Sequence, residues 1–335
     1  MAQPSASPIA AKVAITLNAV LVAVEDERPK VLCVGAPAGL GLPYGPFDPA
    51  HHRTFEIGVR EWVNRQTSLS LGHIEQLYTF GDMGREAPLA ALAASSADER
   101  IVSVGYLALT PAPAPVDAEN AGWRDWYALF PWEDWRGGEP PVLTQAIAPA
   151  LAKWIDRGGK EKTRRRARAA AAFGLDDAYW DEARTLERYE LMYEIGLVSE
   201  SWRDRSAAGL TAPPGDRAVP EITGEAMISD HRRILATAIG RLRGKLRYRP
   251  ILFEMTPPEF TLLQLQRIAE AIVGFDFHKQ NFRRGVEKSG FVERSGDVVQ
   301  QAGGRPAALY RVDRQGLRER AAAGLAIPRL RREPA

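Results

Sequence analysis

The sequence has little cysteine and no long apolar run. Cys33 is the single cysteine among 335 residues, which excludes an intrachain disulfide and a cysteine-based zinc site. This cysteine usage is typical of a reducing compartment, so we expect a cytoplasmic protein. The most apolar stretch, residues 13–24, is interrupted by Thr16 and Asn18 and is too short to span a bilayer. No membrane role is therefore expected.

The composition is that of an ordinary globular chain, because 45% of its residues are hydrophobic and 26% are charged. Gly and Pro, at 29 and 24 residues, follow no fixed period, which excludes collagen-like classes. Residues 1–11 lack the basic and apolar regions of a signal peptide and are expected to form a disordered tail. Residues 231–335 carry 21 Lys and Arg against 10 Asp and Glu, although the whole chain has a net charge of +2. This asymmetry favours an anionic partner for the C-terminal part.

Apolar periodicity in residues 12–140 predicts a mixed α/β unit. Phe55, Val59, Trp62 and Val63 have helical spacing, whereas the other apolar segments alternate as strands do. The predicted elements are strands 13–24 and 30–35, helix 53–66, and strands 74–80 and 101–109. The tryptophans of residues 123–135 are predicted to pack on this sheet as a hydrophobic flap.

Residues 141–210 are predicted to be helical, with two apolar stripes that include Leu151 and Met192. The basic run 160–168 is typical of a solvated helix face, although such runs also contact nucleic acid. The Pro- and Gly-rich residues 211–227 are the predicted linker to a further domain.

The C-terminal part has the order of elements found in a winged helix-turn-helix domain. A first helix is predicted from Ser229 or Asp230, and its faces other than the apolar stripe carry Arg232, Arg233, Arg241, Arg243 and Lys245. Thr261 and Gln264 form a capping box for a second helix that ends at Gly274. A tight turn leads to a third helix over 278–289. Residues 291–294 and 307–312 then form a β-wing around a Gly-rich loop.

On the third helix Phe282 and Val286 lie one turn apart, so we expect them to face the core. Polar residues then project from the opposite side, as on a recognition helix. Gln280 and Arg283 are predicted to contact base edges, because Gln and Arg pair with adenine and guanine through two hydrogen bonds. The residues predicted to contact phosphates are Lys279, Arg284, Lys288 and, at the wing tip, Arg305.

Residues 42–67 resemble the Nudix box, a loop-helix-loop that reads G, five residues, E, seven residues, R-E-U-x-E-E-x-G-U. Arg60 and Glu61 match this pattern, but Asn64 and Arg65 replace its following glutamate pair. Carboxylates at one-turn spacing bind the Mg²⁺ that Nudix hydrolysis requires. Glu61 alone does not supply such a site, so we expect no hydrolysis, no metal site and no cofactor. Two roles of Glu61 stay open at this point: contact with a ligand, or a salt bridge with Arg60 or Arg65 on the helix surface.

Both halves together resemble the Nudix-related transcriptional regulators of bacterial NAD metabolism (NrtR and NadQ types). The specific motifs are residues 241–248, 260–274, Asn281-Phe-Arg-Arg284 and Gly304-Arg-Pro306 with Tyr310. The helical residues 141–204 are similar to the longer branch, called NadQ in alphaproteobacteria. The resemblance implies an α/β Nudix-like sandwich, a helical middle segment and a C-terminal winged helix-turn-helix domain. It further implies a homodimeric repressor of NAD biosynthesis genes that binds palindromic double-stranded DNA and senses ADP-ribose, ATP or an NAD-related nucleotide.

The predicted division of the chain follows from these patterns. It comprises a tail (1–11), a Nudix-like sensing domain (12–140), a helical insertion or dimerisation segment (141–210), a linker (211–227), a winged-helix DNA-binding domain (228–320) and a tail (321–335). Position in the altered box predicts the ligand-binding residues Tyr44, Arg53, Arg60 and Arg65.

Two other functions remain open at this point. One is a Nudix-type pyrophosphohydrolase with an accessory winged helix, whose metal site would use carboxylates such as Glu56, Glu61 or Glu75. The other is an adaptor that binds RNA or protein. The scarcity of aromatic residues on a basic strand argues against single-stranded RNA.

Overall fold

The computed structural model describes residues 12–37, 39–85, 99–247, 251–300 and 306–313. The tails predicted at 1–11 and 321–335, and Arg305 at the wing tip, lie outside the described residues. The strands are β1 (Lys12–Glu25), β2 (Arg28–Ala36), β3 (Gly39–Gly41), β4 (Tyr44–Pro46), β5 (Ile74–Phe80), β6 (Glu99–Leu109), β7 (Ala121–Asp125), β8 (Glu259–Phe260), β9 (Val292–Val299) and β10 (Ala307–Val312). The helices are α1 (Phe55–Thr67), α2 (Trp126–Leu129), α3 (Ala148–Asp156), α4 (Lys162–Phe173), α5 (Thr185–Ile195), α6 (Ser199–Ala207), α7 (His231–Leu246), α8 (Leu262–Val273) and α9 (Lys279–Ser289).

A seven-stranded mixed sheet forms the centre of the N-terminal half. Its strand order is β3-β2-β1-β6-β5, with β4 added to β1 and β7 added to β2. Strands β1 and β6 are parallel, whereas β1 and β2 form a hairpin in which Glu25 pairs with Arg28. Asp26 and Glu27 both have positive φ, as a two-residue hairpin turn of this twist requires. Asp26 and Glu27 thus form the loop of the hairpin.

The long strand β1 separates two hydrophobic cores. Its residues Leu17, Ala19 and Leu21 pack with α1, and Val20 and Val22 belong to the core that contains α7. Alternation along β1 therefore buries both faces of the sheet between helices. This arrangement is a sandwich of helix, sheet and helix.

The helical middle segment shares the core on the α7 side of the sheet. Trp126 and Trp132 are fully buried there, together with Leu151 of α3 and Met192 of α5. The two apolar stripes and three tryptophans of the predicted flap, Trp126, Trp132 and Trp135, therefore belong to one core, whereas Trp123 packs against the core on the α1 side. A single π-helical turn over residues 143–147 leads into α3.

Helix α7 packs against β1, β5 and α5, and it also contacts α8. The helix predicted as the first of the DNA-binding domain thus covers the sheet of the N-terminal half. After it, α8 and α9 are followed by a small sheet in the order β8-β10-β9. The domain boundaries given above stay a prediction. Within the described ranges, no helix is both long enough and apolar enough to cross a membrane.

Candidate functional site

The altered Nudix box begins with a loop that is fixed on helix α1. The carboxamide of Gln66 donates to the carbonyl of Tyr44 (2.9 Å) and accepts from its backbone N–H (3.0 Å). The indole of Trp62 donates to the Pro46 carbonyl at 2.9 Å. A Cβ on Gly45 would overlap the Trp62 ring, so only glycine permits this approach. Gln66 and Trp62 thus position the loop, a role that the sequence pattern did not reveal.

The carboxylate of Glu61 lies between an arginine and a histidine. It forms an i,i+4 ion pair with Arg65, whose guanidinium also lies 4.7 Å from the centroid of the Trp62 ring. The other carboxylate oxygen of Glu61 lies 3.4 Å from Nε2 of the buried His52. The part of the chain that the structure describes contains no group of three or more His, Cys, Asp or Glu arranged to hold a metal ion.

The four predicted ligand-binding residues have different surroundings. Tyr44 is 8% exposed, and its ring meets the His231 ring edge-on at 4.9 Å. Arg60 donates to Glu56 (2.8 Å) and to the carbonyls of Leu71 and Gly72, so it ties α1 to the following loop. Arg53 and Arg65 are exposed. Their ligand roles stay predictions.

His231, at the start of α7, is a buried titratable group beneath this loop. Its Nδ1 accepts from the backbone N–H of Leu42 at 3.0 Å. Burial, assisted by the positive charge of Arg203, lowers the pKa of His231 to about 3. The neutral imidazole is therefore part of the folded structure near neutral pH.

We expect His231 to make the folded state less stable as the pH falls below about 6.5, the ordinary pKa of histidine. Between this value and about 3 the unfolded chain binds one proton more than the folded chain, so stability rises with pH. The free energy of unfolding should fall by about 2 kcal/mol more between pH 7.5 and pH 5 in the unsubstituted chain than in His231→Asn. Urea unfolding across this range measures the difference. Parallel pH profiles for the two proteins would contradict this role of His231.

Helices α8 and α9 are joined by a turn that buried side chains hold in place. Thr261 and Gln264 form the predicted capping box at the start of α8, and Gly274 has the left-handed conformation at its end. The Glu270 carboxylate accepts from the backbone N–H of Phe277 (2.8 Å) and from Gln266 (2.7 Å). The side chains of Gln266 and Glu270 thus fix the turn from within, a role the sequence analysis did not identify.

The faces of α9 are oriented as the sequence predicted. Phe282 is 9% exposed and Val286 is 1% exposed, so both face the core. The five predicted DNA-binding residues of this helix, Lys279, Gln280, Arg283, Arg284 and Lys288, are all exposed. None of its four cations has an ion-pair partner among the residues that the structure describes. This helix therefore presents positive charge that nearby carboxylates do not compensate.

The basic residues of α7 and α4 differ from those of α9 because acidic partners neutralise most of them. On α7, Arg232 pairs with Glu200, Arg233 with Glu190, Arg243 with Glu133 and Lys245 with Glu75. The sequence placed these cations on the faces of α7 other than its apolar stripe, but two of them, Arg232 and Arg243, are fully buried. On α4, Lys162, Arg164 and Arg168 form exposed ion pairs, which is the solvated face expected there.

The β-wing is connected to α9 through Tyr310. Its hydroxyl lies 3.3 Å from the carboxylate of Glu287 on α9 and accepts from Arg294 Nε, also at 3.3 Å. The wing strands β9 and β10 are antiparallel, and Val312 pairs with Val292.

Comparisons with known proteins agree with this architecture. Residues 252–312 match the family model of the NrtR DNA-binding winged helix domain. The ADPR responsive transcriptional repressor NtrR of Acinetobacter baylyi is 45% identical over 82 residues, which are 24% of this chain and 32% of that relative. The match thus spans about a third of the relative's length.

Two crystal structures share the fold of nearly the whole chain. Shewanella oneidensis NrtR complexed with a 27mer DNA covers 94% of this chain and 99% of its own, with a TM-score of 0.51 and 19% identity. A MutT/nudix family protein from Enterococcus faecalis covers 93% of this chain and 90% of its own, with a TM-score of 0.50 and 16% identity. The predicted fold class, a Nudix-like sandwich with a C-terminal winged helix, is confirmed, as is the likeness to NrtR-type regulators.

Proposed function

We propose that this chain is a nucleotide-responsive transcriptional repressor that binds double-stranded DNA through α9 and the wing. The observation that carries the proposal is the set of unpaired cations on the exposed face of α9, within a winged helix. Phosphates supply the negative charge that this face lacks, and an exposed helix of this kind fits the major groove. A relative described as an ADPR responsive transcriptional repressor and a similar fold solved with DNA support the proposal.

In the proposed complex Gln280 and Arg283 contact base edges. Lys279, Arg284, Lys288 and Arg305 contact phosphates, which fix the register of α9 without reading the sequence. We further propose a homodimer on a palindromic operator, with half-sites about one helical turn apart, roughly 34–36 Å. NAD biosynthesis genes are the proposed targets, and the cytoplasm is the proposed compartment.

The N-terminal sandwich is the proposed sensor of the nucleotide, with ADP-ribose as the first compound to test. The proposed ligand-binding residues are Tyr44, Arg53, Arg60 and Arg65. Arg53 and Arg65 are exposed, so their guanidinium groups are accessible to a diphosphate. A ligand controls DNA binding only if it binds the two conformations of the chain unequally.

We also propose that the sensor does not hydrolyse its ligand. Glu61 is paired with Arg65, and a cation beside the carboxylate opposes the binding of Mg²⁺. Incubation with ADP-ribose and Mg²⁺ or Mn²⁺ separates this proposal from the pyrophosphohydrolase alternative. Steady turnover that disappears in Glu61→Gln would favour the hydrolase.

Binding to DNA upstream of NAD biosynthesis genes from the same genome tests the proposed function. We expect a specific complex at low salt, with affinity falling steeply as salt rises because phosphate counterions are released on binding. Titration by fluorescence anisotropy at several salt concentrations, with a random duplex of equal length as control, measures both features. Equal affinity for the two duplexes, or no binding at low salt, would refute specific repression.

Thermal unfolding with ADP-ribose, ATP, NAD or nicotinamide mononucleotide identifies the ligand, since binding to the folded chain raises its melting temperature.

A further inference from the structure

The C-terminal end of α8 is anchored by three hydrogen bonds, two from the segment after β7 and one from α7. The carbonyl of Ala271 accepts from the Tyr127 hydroxyl (2.7 Å), and that of Ile272 accepts from Arg243 Nε (2.8 Å). The carbonyl of Gly274 accepts from the backbone N–H of Trp135 at 2.6 Å. The last carbonyls of a helix have no partner within the helix, so these donors replace water there.

One of these donors, Arg243, belongs to a buried charge cluster with Glu133 and Arg188, here called the Glu133 cluster. Arg188 binds both carboxylate oxygens of Glu133, at 2.6 and 2.9 Å, and Arg243 binds one of them. The side chains of all three residues are 0% exposed. Arg188 also donates to the backbone carbonyls of residues 172, 181 and 182, within the helical middle segment. The cluster thus joins the segment after β7, helix α5, helix α7 and the end of α8.

Gly274 brings the end of α8 into direct contact with this cluster. Its φ is +92°, and a Cβ there would overlap the carbonyl oxygen of Glu133 and lie 3.0 Å from the Tyr127 hydroxyl. A side chain at this position therefore has no room unless α8 moves. Since Gln266 and Glu270 hold the turn after Gly274, a movement of α8 also moves α9.

We propose that Glu133, Arg188 and Arg243 are positioning residues for DNA recognition. They hold the end of α8, and thereby α9, in one orientation relative to the central sheet. The helical middle segment takes part because Arg188 lies on α5. A buried polar network whose members are all hydrogen-bonded has few alternative arrangements, which makes it suited to fixing one geometry. The consequence for DNA binding rests on the function proposed above.

Two substitutions disturb the contact at the end of α8 without removing a charge. Gly274→Ala introduces the overlap with Glu133. Tyr127→Phe removes the two hydrogen bonds of the hydroxyl, to the Ala271 carbonyl and from Arg243, and leaves the ion pairs in place. Gly138→Ala is the matched control, because Gly138 has a similar φ of +98° and nothing within 4 Å of a Cβ. Any effect of backbone strain alone is then common to Gly274→Ala and Gly138→Ala.

The orientation of α9 is measured directly in the full chain. Spin labels on Arg124→Cys of β7 and Asn281→Cys of α9 report their separation by pulsed electron paramagnetic resonance. The labelled protein is mixed with an excess of unlabelled protein before measurement, so that in the proposed homodimer the distances within one chain dominate. Both positions are exposed, whereas the native Cys33 is buried and stays unlabelled. We expect one narrow distance distribution for the parent and for Gly138→Ala, and a broadened or shifted one for Gly274→Ala and Tyr127→Phe. Unchanged distributions in both variants would overturn the positioning role.

DNA binding of unlabelled proteins gives the second readout. The probes are a duplex selected from a random library by the parent protein and an unselected duplex of equal length. Gly274→Ala should bind the selected duplex about tenfold more weakly and Tyr127→Phe less so, while binding to the unselected duplex changes little. A preference identical to the parent's would overturn the proposal. If the parent itself binds no DNA, the proposed function fails, and the label distances still decide the positioning role.

Discussion

Replacing Glu133 by alanine is expected to lower the free energy of unfolding by about 3–5 kcal/mol, because it leaves two buried guanidinium groups without a counterion. Burial alone would raise the pKa of the Glu133 carboxyl, but attraction to Arg188 and Arg243 and their hydrogen bonds outweigh burial, so this pKa lies below its ordinary value. Urea unfolding at neutral pH, monitored by tryptophan fluorescence, measures the loss of stability.

Glu194→Ala is the control for this substitution. Glu194 forms a two-bond pair with Arg168, as Glu133 does with Arg188, but its side chain is 48% exposed. Solvent screening limits the contribution of such a pair to the free energy of unfolding to about 0–1 kcal/mol. Similar losses in Glu133→Ala and Glu194→Ala would contradict the importance of burial for the Glu133 cluster.

The lowered pKa of Glu133 also determines the direction in which the stability of the folded chain changes with pH. A carboxylate whose folded pKa is depressed contributes stability above its unfolded pKa, about 4.3, and loses this contribution as the pH falls through the folded value. The difference in unfolding free energy between the parent and Glu133→Gln should therefore shrink as the medium becomes acidic below about pH 4.3. If this difference in unfolding free energy grew as the pH fell, the prediction for Glu133 would be contradicted.

The second large effect is expected in sequence recognition. Arg283→Ala should weaken binding to the selected duplex by about 1–3 kcal/mol, which is roughly 5- to 150-fold, because the proposed contact with a base edge would be lost. Arg284→Ala is the matched control: it is the adjacent residue, equally unpaired and exposed, and its proposed partner is a phosphate. This control should weaken binding to selected and random duplexes alike. Equal losses on both duplexes for Arg283→Ala would refute its role at a base edge.

Local patterns in the sequence predicted much of the fold correctly. Alternation predicted β5 with its observed bounds, and it predicted the bounds of β1, β2 and β6 to within two residues. Helical spacing predicted α1 and the buried faces of α3 and α9. These features depend on residues close together in the chain, and the periodicity of their apolar side chains indicates which side of a helix or strand is buried. The short strands β3, β4 and β7 were not predicted, because they have too few residues to show a period.

The spacing of Phe282 and Val286, one turn apart on the apolar side of α9, was enough to predict which side of this helix faces solvent. It did not determine which cations are free. Arg243 and Arg283 both belong to the basic C-terminal part, yet Arg243 is buried against Glu133, 110 positions away, whereas Arg283 is exposed on α9. This difference arises on folding, because an ion pair depends on distance in space. Among the described residues, acidic side chains of the N-terminal half lie against α7 and none of them pairs with α9.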